Sequence, residues 1–83
     1  MAEFEAKGGE LYINGKKVLR AWESFTGWYW FGVEEVEPFL WFGYVQGLED
    51  EWGYFDEREL NSLAPQVWEI KKADLVHSGR RSR

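Results

Sequence analysis

Polar and apolar residues alternate with a period of two along most of the chain. Glu10-Leu11-Tyr12-Ile13 and the run from Lys16 to Glu23 flank Asn14-Gly15. That pair suits the positive φ angles of a type I′ turn, whose twist matches the strands it joins. The pattern predicts a hairpin over residues 10–23 with Ile13 opposite Lys16. After Gly27, residues 28–33 are β-rich on both faces, with Tyr29, Phe31 and Val33 on one and Trp28 and Trp30 on the other. Such two-faced apolarity marks a central strand. Pro38 cannot donate to a ladder and holds Glu37 extended, so Glu34-Glu35-Val36-Glu37-Pro38 reads as a reversal. A second two-faced strand follows, with Phe39, Trp41, Gly43 and Val45 on one side and Leu40, Phe42, Tyr44 and Gln46 on the other. Gly47 and the acidic turn Leu48-Glu49-Asp50-Glu51 end it, and residues 52–55 return as a short strand.

The period changes at Asp56. Asp56-Glu57-Arg58-Glu59 has the form of a capping box, in which Asp56 accepts from the Glu59 amide and Glu59 reaches back. It predicts a short helix at about 57–63, with Leu60 and Leu63 facing inward and Ala64-Pro65 as the stop. Residues 67–70 make a last strand with Trp68 and Ile70 on one face. The expected class is α+β: a small antiparallel β-meander of about five strands with one short helix. No repeat or linker divides it, so residues 1–76 are expected to form one domain. The first nine residues are polar and closed by glycines, and residues 77–83 are expected to be a disordered basic tail.

Composition explains how so short a chain builds a core. Six Trp, six Phe and four Tyr in 83 residues supply rings that bury about 150–250 Å² each. With no cysteine, disulfide frameworks and thiolate chemistry are excluded, and a cytoplasmic location is expected. No stretch approaches the roughly 20 apolar residues of a membrane span, so no membrane association is expected.

Charge is distributed unevenly. Residues 23–69 hold eleven acids against Arg58 alone, whereas residues 70–83 hold Asp74 against five bases. A middle half that repels phosphate disfavours nucleic acid as a ligand except through the basic tail. Candidate partner-binding residues are therefore Glu34, Glu35, Glu37, Glu49, Asp50 and Glu51, with Trp52, beside Gly53, as the ring expected to be exposed. The remaining aromatics are expected to be mostly core. The two acidic clusters lie at opposite ends of the 39–46 strand, roughly 20 Å apart at ~3.3 Å per residue, too far to act on one substrate atom. Glu49-x-Glu51-x-Gly53 lacks the Asp/Asn positions of a calcium loop. His77, the sole histidine, reads as a surface residue with no nucleophile to serve. No catalytic, cofactor-binding or metal-binding residue is expected.

Several blocks together carry a family resemblance: Trp28-Tyr29-Trp30 followed by Glu34, the segment FGYVQGLEDEWGYF from Phe42 to Phe55, Glu59-Leu60, and Ile70-Lys71-Lys72 leading to Asp74-Leu75. Over about residues 28–75 the chain resembles a family of small bacterial and archaeal proteins of unknown function, often encoded on plasmids, phages and conjugative elements. The LYINGKKVLRAWE hairpin lies outside the resemblance. What it implies is a mobile-element context and no reaction. The expected function is then a non-enzymatic accessory protein presenting an acidic surface to a basic protein partner, in its sharpest form a nucleic-acid mimic. The alternatives are a nucleic-acid-binding module using exposed aromatics and the basic tail, and a small-ligand site of Trp and Glu side chains.

Overall fold

The structure, a computed structural model, describes residues 2–80. Two antiparallel sheets and two short helices account for the regular elements among them. Strands β1 (Phe4–Lys7), β2 (Glu10–Ile13) and β3 (Lys16–Lys17) form a three-stranded sheet. Strands β4 (Arg20–Ser24), β5 (Tyr29–Glu37), β6 (Leu40–Gln46), β7 (Asp50–Asp56) and β8 (Val67–Glu69) form a five-stranded sheet in the order β7-β6-β5-β4-β8. Helix α1 (Glu57–Asn61) joins β7 to β8, and α2 (Lys72–Leu75) follows β8. The α+β class holds, but five strands and one helix were too few.

Asn14 and Gly15 have φ of 52° and 78°, and Ile13 pairs with Lys16, as a type I′ turn requires. Gly15→Val should lower stability by about 1 kcal/mol or more in urea melts, because a β-branched side chain is strained at positive φ.

The departure from a single meander begins two residues later. The amide of Val18 bonds to Leu11, whereas that of Leu19 bonds across to Gly32 in the other sheet. The run 16–23 is thus two strands in two sheets, with Val18 buried at the crossing. The three-stranded sheet folds onto the five-stranded one and buries Leu11, Ile13 and Val18 against Ala21, Phe31 and Tyr44. Strand β1, turned by Gly8 and Gly9 at positive φ, belongs to this lid. Its Phe4 ring meets Phe31 and Tyr44 edge-on at 5.5 and 5.9 Å.

The opposite face of the large sheet holds a second core of Trp22, Trp41, Phe55, Leu60 and Val67, closed by α1. Here Gly32, Gly43 and Gly53 lie opposite one another in β5, β6 and β7. The missing side chain at Gly32 makes room for the Trp41 indole, which lies so close that a Cβ there would come within 2.6 Å of it. Helix α1 is shorter than expected. Leu60 is buried, but Leu63 lies beyond the helix end and is exposed. The inward position goes instead to Glu57.

Residues 77–80, expected to begin a disordered tail, are packed on the sheet. Ser78 is buried, and the carboxamide of the buried Gln46 accepts from the Arg80 amide at 2.7 Å and donates to the Arg80 carbonyl. Residues 81–83 of the expected tail lie outside the described residues.

Candidate functional site

The six acids singled out from sequence are all exposed, but they do not share one face. Adjacent strand residues alternate faces, and register shifts between Gly32 and Glu34 and between Glu35 and Glu37 decide which of the first three acids fall together. They set Glu34 opposite Phe42, Glu35 opposite Trp41 and Glu37 opposite Leu40. Residues in register point to the same side of a sheet. Glu34 and Glu37 therefore lie on the face of Phe42 and Tyr54, and Glu35 on the face of Trp41. At the other end Asp50 is opposite Gln46 and Glu51 opposite Val45, which splits that pair in the same way. Glu49 lies in the turn between β6 and β7.

On the first face an aromatic row runs between the two acidic ends. Phe42 stacks on Trp52 at 5.8 Å and meets Tyr54 edge-on at 5.2 Å, and Trp52 reaches Tyr44 at 5.1 Å. The three-stranded lid stops short of Phe42 and Tyr54. The exposed ring of this row is Tyr54, 68% accessible, and not Trp52, which is half-buried against the lid-side core; Phe25, Phe39 and Trp68 are exposed elsewhere. Both rings stand on the same face of β7, so alternation could not separate them; their distance from the lid does.

Charge pairing sharpens the asymmetry. Asp50 receives Arg80 at 3.1 Å, and the other five candidate acids have no cationic side chain paired with them among the described residues. Arg58, the one base of the middle segment, is committed to Asp56, with its Nε at 3.1 Å and a terminal nitrogen at 2.7 Å. Asp56 caps α1 by accepting from the Arg58 amide at 2.8 Å, one residue earlier than a capping box would have it. Arg58 holds the Asp56 carboxyl below its ordinary range, first through the side-chain bond and then through the amide. A carboxylate lowered in the folded state stabilises above its unfolded pKa and loses that contribution as pH falls. Asp56→Asn should therefore lower the melting temperature at neutral pH, and its gap to wild type should narrow below about pH 4.

A dense polar cluster runs from the buried Glu57 out to the exposed Glu69. Arg20 donates to both oxygens of Glu57 at 3.0 Å and to both of Glu69 at 2.7 and 2.6 Å, and the Trp41 indole donates to Glu57 at 2.8 Å. The guanidinium lies over Trp22 at 4.9 Å, and bonding to Glu69, then the charges of Glu69 and Glu57, raise its pKa further. Trp22 in turn donates to Asn61 at 3.1 Å. With both Glu57 oxygens and the whole guanidinium engaged, this network ties β4, β6, α1 and β8 together and offers no open position for a substrate.

A cleft of about 390 Å³ opens at the other side of the sheet, between β8 and the C-terminal segment. Its floor is a row across three strands, Tyr29, Glu23 and Trp68, set by the register of β4 with β5 and β8. Tyr29 donates to Glu23 Oε2 at 2.9 Å; burial, then the bond to Glu23, pushes the phenol pKa up. Asp74, His77 and Lys71 stand around the opening. This cleft was missed from sequence because its residues are scattered from 23 to 78; the one signal was His77, which read as surface.

No protein-family model, curated protein or solved structure matches the chain. Among the described residues no group of three or more His, Asp or Glu is placed to hold a metal, and no helix is long and apolar enough to cross a membrane.

Proposed function

We propose that the protein is a non-enzymatic binding module that offers the outer β6–β7 face to a basic protein partner in the cytoplasm. The observation that supports this reading is the aromatic row Tyr54-Phe42-Trp52, with Tyr54 exposed and the other two rings partly so. It is bracketed on the same face by Glu34 and Glu37, unpaired among the described residues, at one end and by Asp50, paired with Arg80, at the other. Exposed tyrosine and half-buried tryptophan on a rigid strand have the character of interface anchors, and flanking acids steer and orient a cationic partner. In the mobile-element setting that the sequence resemblance implies, that partner would be a nucleic-acid-binding protein, and the acidic rim would occupy its phosphate-binding surface.

The test begins with a partner captured at low salt and identified. Tyr54→Ala should weaken its binding by at least tenfold, as a central aromatic anchor does. Glu34→Lys with Glu37→Lys should slow association and reduce its salt dependence. A partner whose affinity is unchanged by all three substitutions binds elsewhere and overturns the proposal.

A further inference from the structure

We propose that the Tyr29-Glu23-Trp68 cleft is a binding site for one organic cation, the guanidinium of an arginine side chain. A carboxylate beside an exposed indole is an arrangement that recognises such cations: the Trp68 ring face attracts positive charge and the carboxylate receives the N–H groups, while Tyr29, stacked on Phe31 at 5.8 Å, holds the carboxylate through its hydroxyl. Glu23 is already oriented for the task. Its Oε2 is held by the Tyr29 hydroxyl, and its Oε1 has no partner among the described residues. Trp68, the outer wall, is 42% exposed with its indole free of any stacking partner there.

The charge of the cleft fits a monocation. Glu69 also lines it, but Arg20 engages both its oxygens. Glu23 and Asp74 then face Lys71, leaving one negative charge among the carboxylates and lysine of the lining. Neither Asp74 nor Lys71 is in an ion pair among the described residues. Guanidinium is favoured over ammonium because it is flat, weakly hydrated, stacks on indole and presents a fork of donors to a carboxylate. This site is independent of the β6–β7 face: its floor is β4, β5 and β8, at the opposite edge of the sheet from β7.

The experiment is a titration with N-acetyl-arginine amide, followed through the indole N–H resonances of the isotopically labelled protein. The Trp68 signal, assigned by its loss in Trp68→Phe, should shift saturably. The neutral isostere N-acetyl-citrulline amide should not shift it. Glu23→Gln should weaken the arginine amide by about tenfold or more, the loss expected for a hydrogen bond to a charged group, while the other five indole signals report an intact fold. Glu34→Lys with Tyr54→Ala should leave the titration unchanged, so failure of the β6–β7 face and failure of this cleft read out separately. The absence of a saturable shift, or an equal response to citrulline amide, would overturn the site. An equal response to N-acetyl-lysine amide would overturn the assignment to guanidinium.

Discussion

Gly43→Ala is expected to abolish cooperative folding, a loss of at least about 4 kcal/mol. A Cβ at position 43 would lie 1.7 Å from the Phe31 carbonyl oxygen, 2.7 Å from its carbon and 3.0 Å from the Gly32 Cα. All three atoms are backbone, so no side-chain rotation relieves the overlap. The only escape is to part β5 from β6, which breaks the central ladder and opens both cores at once. A domain of this size has only several kcal/mol in hand, and the variant should show no unfolding transition by circular dichroism. Gly53→Ala supplies the control. It lies in the same glycine row, but a Cβ there meets nothing within 4 Å, so its stability should stay within about 1 kcal/mol of wild type. A sharp, near-native transition for Gly43→Ala would show that β5 and β6 can shift apart without loss.

Arg20→Met is expected to cost about 2–3 kcal/mol. Removing one partner of a buried ion pair leaves the other charge uncompensated, at about 3–5 kcal/mol for a wholly buried pair. The figure is reduced here because Arg20 keeps 36% of its side chain exposed, whereas Glu57 keeps only 9%. The methionine preserves contact with the indoles of Trp22 and Trp41, so the loss reports charge and hydrogen bonding. Adding Glu57→Gln should recover part of the deficit, since a neutral amide still accepts from the Trp41 N–H without a buried charge. If the double variant is less stable than Arg20→Met alone in denaturant titrations, the pair is not what holds α1 to the sheet.

Local chemistry was the most legible part of this chain. Asn14-Gly15, the alternation through residues 29–32 and 40–46, the return of residues 52–55 and the Asp56 cap are each set by neighbours within a few positions, whereas the reversal expected over 34–38 is strand as far as Glu37. Strand β1 was hidden because Phe4 is its one large apolar residue, and its place is fixed by Phe31 and Tyr44, distant in sequence. The change of sheet at Val18 was hidden because residues 16–23 run on with no glycine or proline to mark the crossing. Bulges at Val33 and Val36 moved Glu34 and Glu37 to one face and Glu35 to the other, which residue spacing alone does not reveal. The burial of Glu57 follows from Arg20, 37 positions earlier. A charge so placed is predictable only once the partner is known.

Gln46 has a kinetic meaning as well as a structural one. Its carboxamide is almost wholly enclosed, yet both of its polar atoms are satisfied by peptide groups 34 residues further along. Until residue 80 arrives, that amide needs water, and the end of β6 has to stay hydrated while the rest of the sheet assembles. Contacts of such long sequence separation form late, because the intervening loop must first be ordered. Sealing this end of the sheet is thus expected late in folding, and the Arg80 side chain adds to the main-chain grip by donating to the Gly47 carbonyl at 2.8 Å and to Asp50 at 3.1 Å.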